Sequence, residues 1–147
     1  MKQISDEAHW EIDKIGKYYD VSLFFLKLTL LFSNNVYLAI VDGDYSLEMM
    51  AFIQVCSLQN IVLPLHHEFD KADIIPINEK TMIKLAELAN RHAGPEIAGH
   101  LAVSNLKERL LEWFDFPFDP IAVSPSISEE SINRFCVEIG AKYKISE

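Results

Sequence analysis

The chain is poor in the residues on which many recognisable active sites are built. It has only five glycines and two cysteines, and no glycine-rich segment is present. Phosphate-binding loops need such glycines so that backbone N–H groups can approach the ligand, and we therefore expect no nucleotide or other cofactor. Neither cysteine has an activating neighbour, and the Gly-x-Ser-x-Gly motif of serine hydrolases is absent. The sequence therefore offers no obvious nucleophile.

Long apolar runs are also missing. The most apolar run, residues 21–32, is interrupted by Lys27 and falls short of the roughly 20 residues that cross a bilayer. Residues 1–14 are acidic and contain no apolar stretch, which predicts no secretory signal peptide. Cys56 and Cys136 lie among apolar neighbours, as expected of reduced, buried thiols. Together these features predict a cytoplasmic protein without a membrane partner.

Basic charge is scarce. Thirteen Lys and Arg face 22 Asp and Glu, which gives a net charge of −9, and the basic residues are scattered along the chain. Long-range repulsion from phosphates disfavours nucleic acid as a partner. The same acidity can steer a basic protein towards the chain.

Half of the 147 residues are apolar, which is ordinary for a folded protein. A chain of this length buries roughly 70% of its unfolded surface, so we expect one globular domain over residues 1–147. Helical and strand patterns interleave without repeats. We predict an α/β or α+β fold in which helices pack on a mixed sheet of about five strands.

Turn and capping signals place the elements along the chain. Predicted helices cover residues 5–18, 21–33, 47–58, 79–92 and 129–139, with Ser5, Ser46, Asn78 and Ser128 as N-caps and Gly140 closing the last one. Predicted strands cover residues 36–41, 74–77, 100–104, 110–114, 121–123 and 141–146, with a further short strand possible at 61–63. The helix at 47–58 has Glu48 as its only charge. We therefore expect it to be sandwiched between other layers.

An acidic turn follows the first predicted strand. Asp42-Gly43-Asp44 begins like a calcium loop, but Leu47 and Ile53 occupy the positions where such a loop needs glycine and glutamate. A turn leading into a capped helix is therefore the preferred interpretation. Contact with a ligand or partner stays open, because loops that follow strands often bind ligands in α/β proteins.

Histidines offer two candidate clusters. In His66-His67-Glu68, neighbouring side chains of an extended loop point in opposite directions, which favours solvated histidines, and we predict no metal site. His92, Glu96 and His100 are spaced four apart, as ligands or acid–base groups on one helix would be. Gly94-Pro95 and Gly99 interrupt that helix, so this site is an alternative only.

An aromatic corner carries two carboxylates. Asp115 and Asp119 flank Phe116-Pro117-Phe118 and follow Trp113. The carboxylates could act as acid and base, or they could bind nearby backbone N–H groups. Aromatic side chains dominate interface energetics, so the corner is also a candidate contact surface, with core filling as the alternative.

Several short motifs lie in the second half of the chain. They comprise Leu85-Ala86-Glu87-Leu88-Ala89, His92-Ala93, Pro95-Glu96-Ile97, His100-Leu101, Leu110-Leu111-Glu112-Trp113, Asp115, Asp119-Pro120, Ser124, Phe135-Cys136 and Gly140. Through them residues 74–145 resemble a family of small, uncharacterised bacterial proteins. The resemblance implies a compact bacterial, cytoplasmic α/β domain and brings no activity.

These observations predict a non-enzymatic interaction domain, for example an immunity-type inhibitor of a basic toxin. Its predicted partner-binding residues are Asp42, Asp44, Trp113, Asp115, Phe118 and Asp119. Self-association through the sheet or the second helix is another form of the prediction. The alternative is a small hydrolase or metal-dependent enzyme that uses His92, Glu96 and His100.

Overall fold

A seven-stranded, wholly antiparallel sheet organises the chain in the computed structural model, which describes residues 1–147. The strands are β1 (His9–Lys14), β2 (Tyr37–Val41), β3 (Asp73–Pro76), β4 (His100–Ser104), β5 (Arg109–Trp113), β6 (Ile121–Val123) and β7 (Ala141–Ser146). The α-helices are α1 (Val21–Lys27), α2 (Leu47–Cys56), α3 (Glu79–Arg91) and α4 (Glu129–Ile139). Short 3-10 helices cover Ile4–Asp6, Leu28–Leu30, His67–Phe69 and Gly94–Glu96.

The strand order across the sheet is β3-β2-β4-β5-β6-β1-β7. The predicted combination of helices packed on one sheet is confirmed. The sheet has seven strands where about five were predicted, and every pairing is antiparallel, so the expected mixed sheet is wrong. None of the helices has the length and apolar character that a bilayer crossing requires.

The predicted N-terminal helix over residues 5–18 is wrong. Only Ile4–Asp6 forms a 3-10 turn, and β1 then pairs with β6 and β7. Trp10 lies opposite both Val123 and Ile145, so partners from the far end of the chain hold this segment extended. The possible strand at 61–63 does not form either.

The predicted helix ends are largely confirmed. The side chains of Ser46, Asn78 and Ser128 accept hydrogen bonds from backbone N–H groups three residues on, at 3.1, 2.9 and 3.2 Å. Each such cap stabilises a helix by about 1 kcal/mol. Gly140 ends α4 with φ 68°, a left-handed conformation that favours glycine.

One face of the sheet and helices α1, α3 and α4 enclose the main core. Trp113 on β5 is fully buried at its centre, and its ring makes edge contacts with Phe24 and Phe116 at centroid distances of 4.8 and 4.7 Å. Phe24 in turn packs on Phe135 of α4. Aromatic pairs of this geometry add about 0.5–1.5 kcal/mol each beyond the burial of their area.

The other face of the sheet carries a row of seven directly paired residues, of which three are alanines. Directly paired positions run across all seven strands as Ile74, Ala39, Ala102, Glu112, Ala122, Glu11 and Lys144. The connection after α2 covers one end of the row, where Phe69 packs on Ala39 and Ala102. The N-terminal 3-10 helix covers the middle, where the Ile4 N–H donates to Oε1 of Glu112 at 2.6 Å.

Candidate functional site

Helix α2 turns an apolar stripe towards solvent. The exposed residues of α2 are Leu47, Glu48, Met50, Ala51, Gln54 and Val55. All of them except Glu48 follow an i, i+3, i+4, i+7, i+8 spacing that places them on one face, which we call the α2 face. Leu47 and Val55 are each 83% exposed and Met50 is 52% exposed. The helix buries only Met49 and Phe52. The expectation of a helix sandwiched between layers is therefore wrong.

The single charge of α2 is neutralised within the chain. Glu48 accepts a hydrogen bond from Nη2 of Arg91 at 2.7 Å, and its other carboxylate oxygen lies 2.8 Å from Nε2 of His92. The hydrogen bond with His92 and the charge of Arg91 hold the pKa of Glu48 below its usual value. These contacts tie the first turn of α2 to the end of α3. The α2 face itself carries no charge, which suits apolar contact.

His92, Glu96 and His100 do not converge on a single site. His92 lies 3.9 Å from Glu96 but uses its other nitrogen for Glu48. Glu96 accepts a hydrogen bond from the Ala93 N–H within the 3-10 helix Gly94–Glu96. His100 instead accepts a hydrogen bond from the Asp115 N–H at 2.9 Å. His92 and Glu96 stay close to each other, and the break in the helix that the glycines and proline predicted separates them from His100.

His100 instead meets two acidic side chains at one end of the sheet. Ligand-type atoms of Asp42, Glu68 and His100 all lie within 4.8 Å of one another, an arrangement that could hold a cation. The loops interlock, since the Gly99 N–H donates to the Val41 carbonyl at 3.0 Å and a Cβ at Gly99 would collide with the Asp42 backbone. Asp42 is held in a left-handed conformation with φ 58°.

The hydrogen bond from the Asp115 N–H determines which nitrogen of the neutral His100 ring carries the proton. Because Nδ1 accepts from the Asp115 N–H, a neutral ring carries its proton on Nε2. That nitrogen then has no lone pair for a metal. The arrangement favours an imidazole that donates a hydrogen bond to a carboxylate over one that ligates an ion.

His66 is buried, contrary to the expectation of solvated loop histidines. It is 5% exposed, and its Nδ1 accepts a hydrogen bond from the Glu68 N–H at 3.1 Å. Its ring stacks on His67 at a centroid distance of 4.0 Å and packs against Phe114. His66 therefore orients the short helix that carries Glu68.

The aromatic corner divides between core and surface. The Trp113 ring is fully buried, and its Nε1 donates to the Asp119 carbonyl at 2.7 Å, so it supports the corner and offers no surface to a partner. Phe118 is 59% exposed, and Asp115 and Asp119 are exposed as well. Asp115 has φ 52° and accepts from the Phe118 N–H, which forms the turn. Asp42 and Asp44 are exposed at the start of α2.

The two cysteines differ in their burial. Both cysteines are free, and burial raises the pKa of Cys136 to about 12, which keeps it protonated at neutral pH. Cys56 is half-buried beside α3 and has no hydrogen-bonding partner that would activate it.

The sequence pointed to the second helix only as a possible surface for self-association and otherwise predicted it to be buried, and the place of Glu68 was missed. The stripe spacing of the α2 face is visible in the sequence, but the helix has apolar residues all round, so composition did not reveal which side is exposed. Glu68 was considered only together with its neighbours His66 and His67. Its approach to Asp42 and His100 depends on loops that lie far apart in the chain.

Comparisons with models of protein families, with curated proteins and with solved structures find no match. Inferences about function therefore rest on the surface and chemistry of this chain.

Proposed function

We propose that the chain is a non-enzymatic protein-interaction domain and that its partner covers the α2 face. The supporting observation is the exposed side of α2, where Leu47, Met50 and Val55 face solvent while the one charged residue of the helix, Glu48, is paired with Arg91 and His92. Such a stripe adds little to the stability of the isolated fold. Exposed apolar patches of this kind mark interaction surfaces.

Burial supplies the energy for the proposed contact. Removing apolar surface from water contributes roughly 25 cal/mol per Å², or about 1.5–3 kcal/mol for a fully covered leucine or valine. Leu47 and Val55 are both 83% exposed, so a partner that covers them gains most of this free energy for each of the two side chains. The entropy lost on association is then subtracted from that gain.

A different protein is the proposed partner. Each copy of the chain carries a charge of −9, so two copies repel each other at long range. An immunity-type inhibitor is one form of such a domain, and the same net charge supports a basic partner at long range. The free thiols of Cys56 and Cys136 support a cytoplasmic setting for it.

Affinity capture from a native lysate tests the proposal when it compares matched variants. The change L47S/V55S removes two apolar side chains of the α2 face, and V137S makes the same type of change on α4, where Val137 is 73% exposed. We expect the wild type and V137S to capture the same protein and L47S/V55S to lose it, with similar melting temperatures for all three. An identical captured set for the three proteins would contradict the proposal, and a dimer that dissociates in L47S/V55S would replace it with self-association.

A hydrolytic or metal-dependent enzyme is the second candidate. The meeting of Asp42, Glu68 and His100 within 4.8 Å favours it, and the hydrogen bond that occupies Nδ1 of His100 places it second. Calorimetric titration with Zn²⁺ tests it. Stoichiometric binding that H100A abolishes and H67A retains would support a metal site, whereas the absence of binding would remove this candidate.

A further inference from the structure

A groove runs between α2 and the first turns of α3. It has a volume of about 480 Å³, within the range of sites that hold a ligand or a partner's side chains. Its apolar lining consists of Phe52, Val55, Cys56, Pro76 and Ile83. A second depression of about 340 Å³ shares Phe52, Val55 and Cys56 with it, so the groove continues onto the α2 face.

Two neutral polar side chains of the groove are partly engaged. The Asn78 Oδ1 accepts from the Thr81 N–H at 2.9 Å, and the Thr81 hydroxyl donates to the Pro76 carbonyl at 2.7 Å. These bonds cap α3 and leave the Nδ2 amide of Asn78, a hydrogen-bond donor, without a partner in the chain. Polar recognition in the groove therefore falls to this amide and to the charged residues.

The charges along the groove favour an anion. Lys80 and Lys84 line it together with one carboxylate, that of Glu87. Lys80 makes no ion pair, and the contact of Lys84 with Glu87 at 3.7 Å is between exposed side chains, where such pairs are weak. The Glu48 carboxylate nearby is occupied by Arg91 and His92. A locally positive rim thus stands on a chain whose net charge is −9.

We infer that the groove binds an acidic amphipathic segment of a partner protein, and this inference rests on the proposed interaction function. Apolar side chains of the segment cover Phe52, Val55 and Ile83, and its carboxylates pair with Lys80 and Lys84. The net charge of the chain steers partners at long range, whereas the two lysines select the segment at contact. The carboxylates of the segment are those of aspartate or glutamate side chains.

Peptide binding tests the inference without knowledge of the natural partner. The probe is a fluorescent helical peptide of leucine and glutamate with both termini blocked, and its counterpart has lysine in place of glutamate. Anisotropy titrations compare the wild-type protein with K80E/K84E and with K107E/K142E, whose exposed lysines lie outside the groove and whose net charge changes equally. We expect the leucine–glutamate peptide to bind the wild type and K107E/K142E within about twofold. In K80E/K84E the peptide loses two exposed ion pairs and is repelled by two new carboxylates. We therefore expect this variant to bind the peptide roughly tenfold more weakly or worse.

Three results would overturn the groove inference. The leucine–glutamate peptide fails to bind, both variants lose affinity for it equally, or the leucine–lysine peptide binds the groove more tightly. Alkylation of Cys56 gives a second readout, because this thiol lines the groove while Cys136 is buried. We expect bound peptide to slow alkylation of Cys56, and an unchanged rate would place the peptide elsewhere.

The two proposals fail in different ways. If L47S/V55S loses a captured protein that K80E/K84E retains, the interaction function stands and the acidic segment is wrong. If none of the variants changes the captured set, the interaction function itself is contradicted.

Discussion

Removal of the Glu112 carboxylate tests how the second face of the sheet is organised. Glu112 is 2% exposed between its strand partners Ala102 and Ala122, and its Oε2 lies 3.0 Å from Nη1 of Arg109. Its Oε1 accepts from the Ile4 N–H, and Arg109 also donates to the Lys2 carbonyl. One carboxylate therefore fastens the N-terminal segment to the sheet.

The expected cost follows from what each substitution leaves unpaired. In E112A, the Arg109 guanidinium and the Ile4 N–H both lose their partner, and breaking a buried pair in this way costs about 3–5 kcal/mol. Arg109 is 21% exposed, so some hydration returns and the lower end of that range applies. In R109M/E112M both charges are gone, and the Ile4 N–H and the carbonyl of the exposed Lys2 lose their partners. Only the Ile4 N–H lay against a buried partner, so the cost is about 1–3 kcal/mol.

Urea denaturation followed by tryptophan fluorescence measures both values. The prediction is that E112A loses at least about 3 kcal/mol of unfolding free energy and that the double variant recovers part of this loss. A loss below about 1 kcal/mol in E112A would refute the reasoning, since the carboxylate would then not hold the segment.

Three further predictions concern single sites. D42G raises the unfolding free energy by up to about 1 kcal/mol, because glycine adopts the φ of 58° without strain, and a clear fall in the urea midpoint would show that the carboxylate contributes to stability. In native protein a thiol reagent modifies Cys56 quickly and Cys136 only on unfolding, because burial raises the pKa of Cys136 to about 12, and two equally fast thiols would contradict this. The pKa of Glu48 is lowered from 4.5 by the hydrogen bond with His92, so its pairing stabilises the fold above that pH and is lost as the pH falls through the lowered pKa. We therefore expect the stability difference between wild type and E48Q, measured by thermal melting, to be largest near neutral pH and to shrink in acid. A difference that does not change with pH would contradict this pairing.

Local chemistry explains which elements could be predicted. Ser46, Asn78 and Ser128 cap their helices through contacts within four residues, and Gly140 supplies the left-handed turn, so these ends are visible in the sequence. The N-terminal strand was missed although Trp10 and Ile12 alternate with acidic residues. Its pairing partners lie at the other end of the chain, and only they decide between strand and helix.

The candidate site was harder to predict because it depends on which side of an element faces solvent. The apolar composition of α2 indicated burial, but in the structure only Met49 and Phe52 are buried, while Ile53 and Cys56 are partly buried against the core. Asp42 and His100 were both singled out from the sequence, but His100 was grouped with His92 and Glu96 by spacing. The fold instead brings His100 to Asp42 and Glu68 through long-range loop contacts.

Photo-crosslinking from the α2 face tests the central claim most directly. A photoreactive amino acid replaces Val55 in one variant and Val137 in a control, both exposed positions on helices, and the proteins are irradiated in native lysate. The account predicts one specific heterologous product from position 55 that is absent at position 137 and lost when L47S is added. The same products from both positions, or none from position 55, would contradict it.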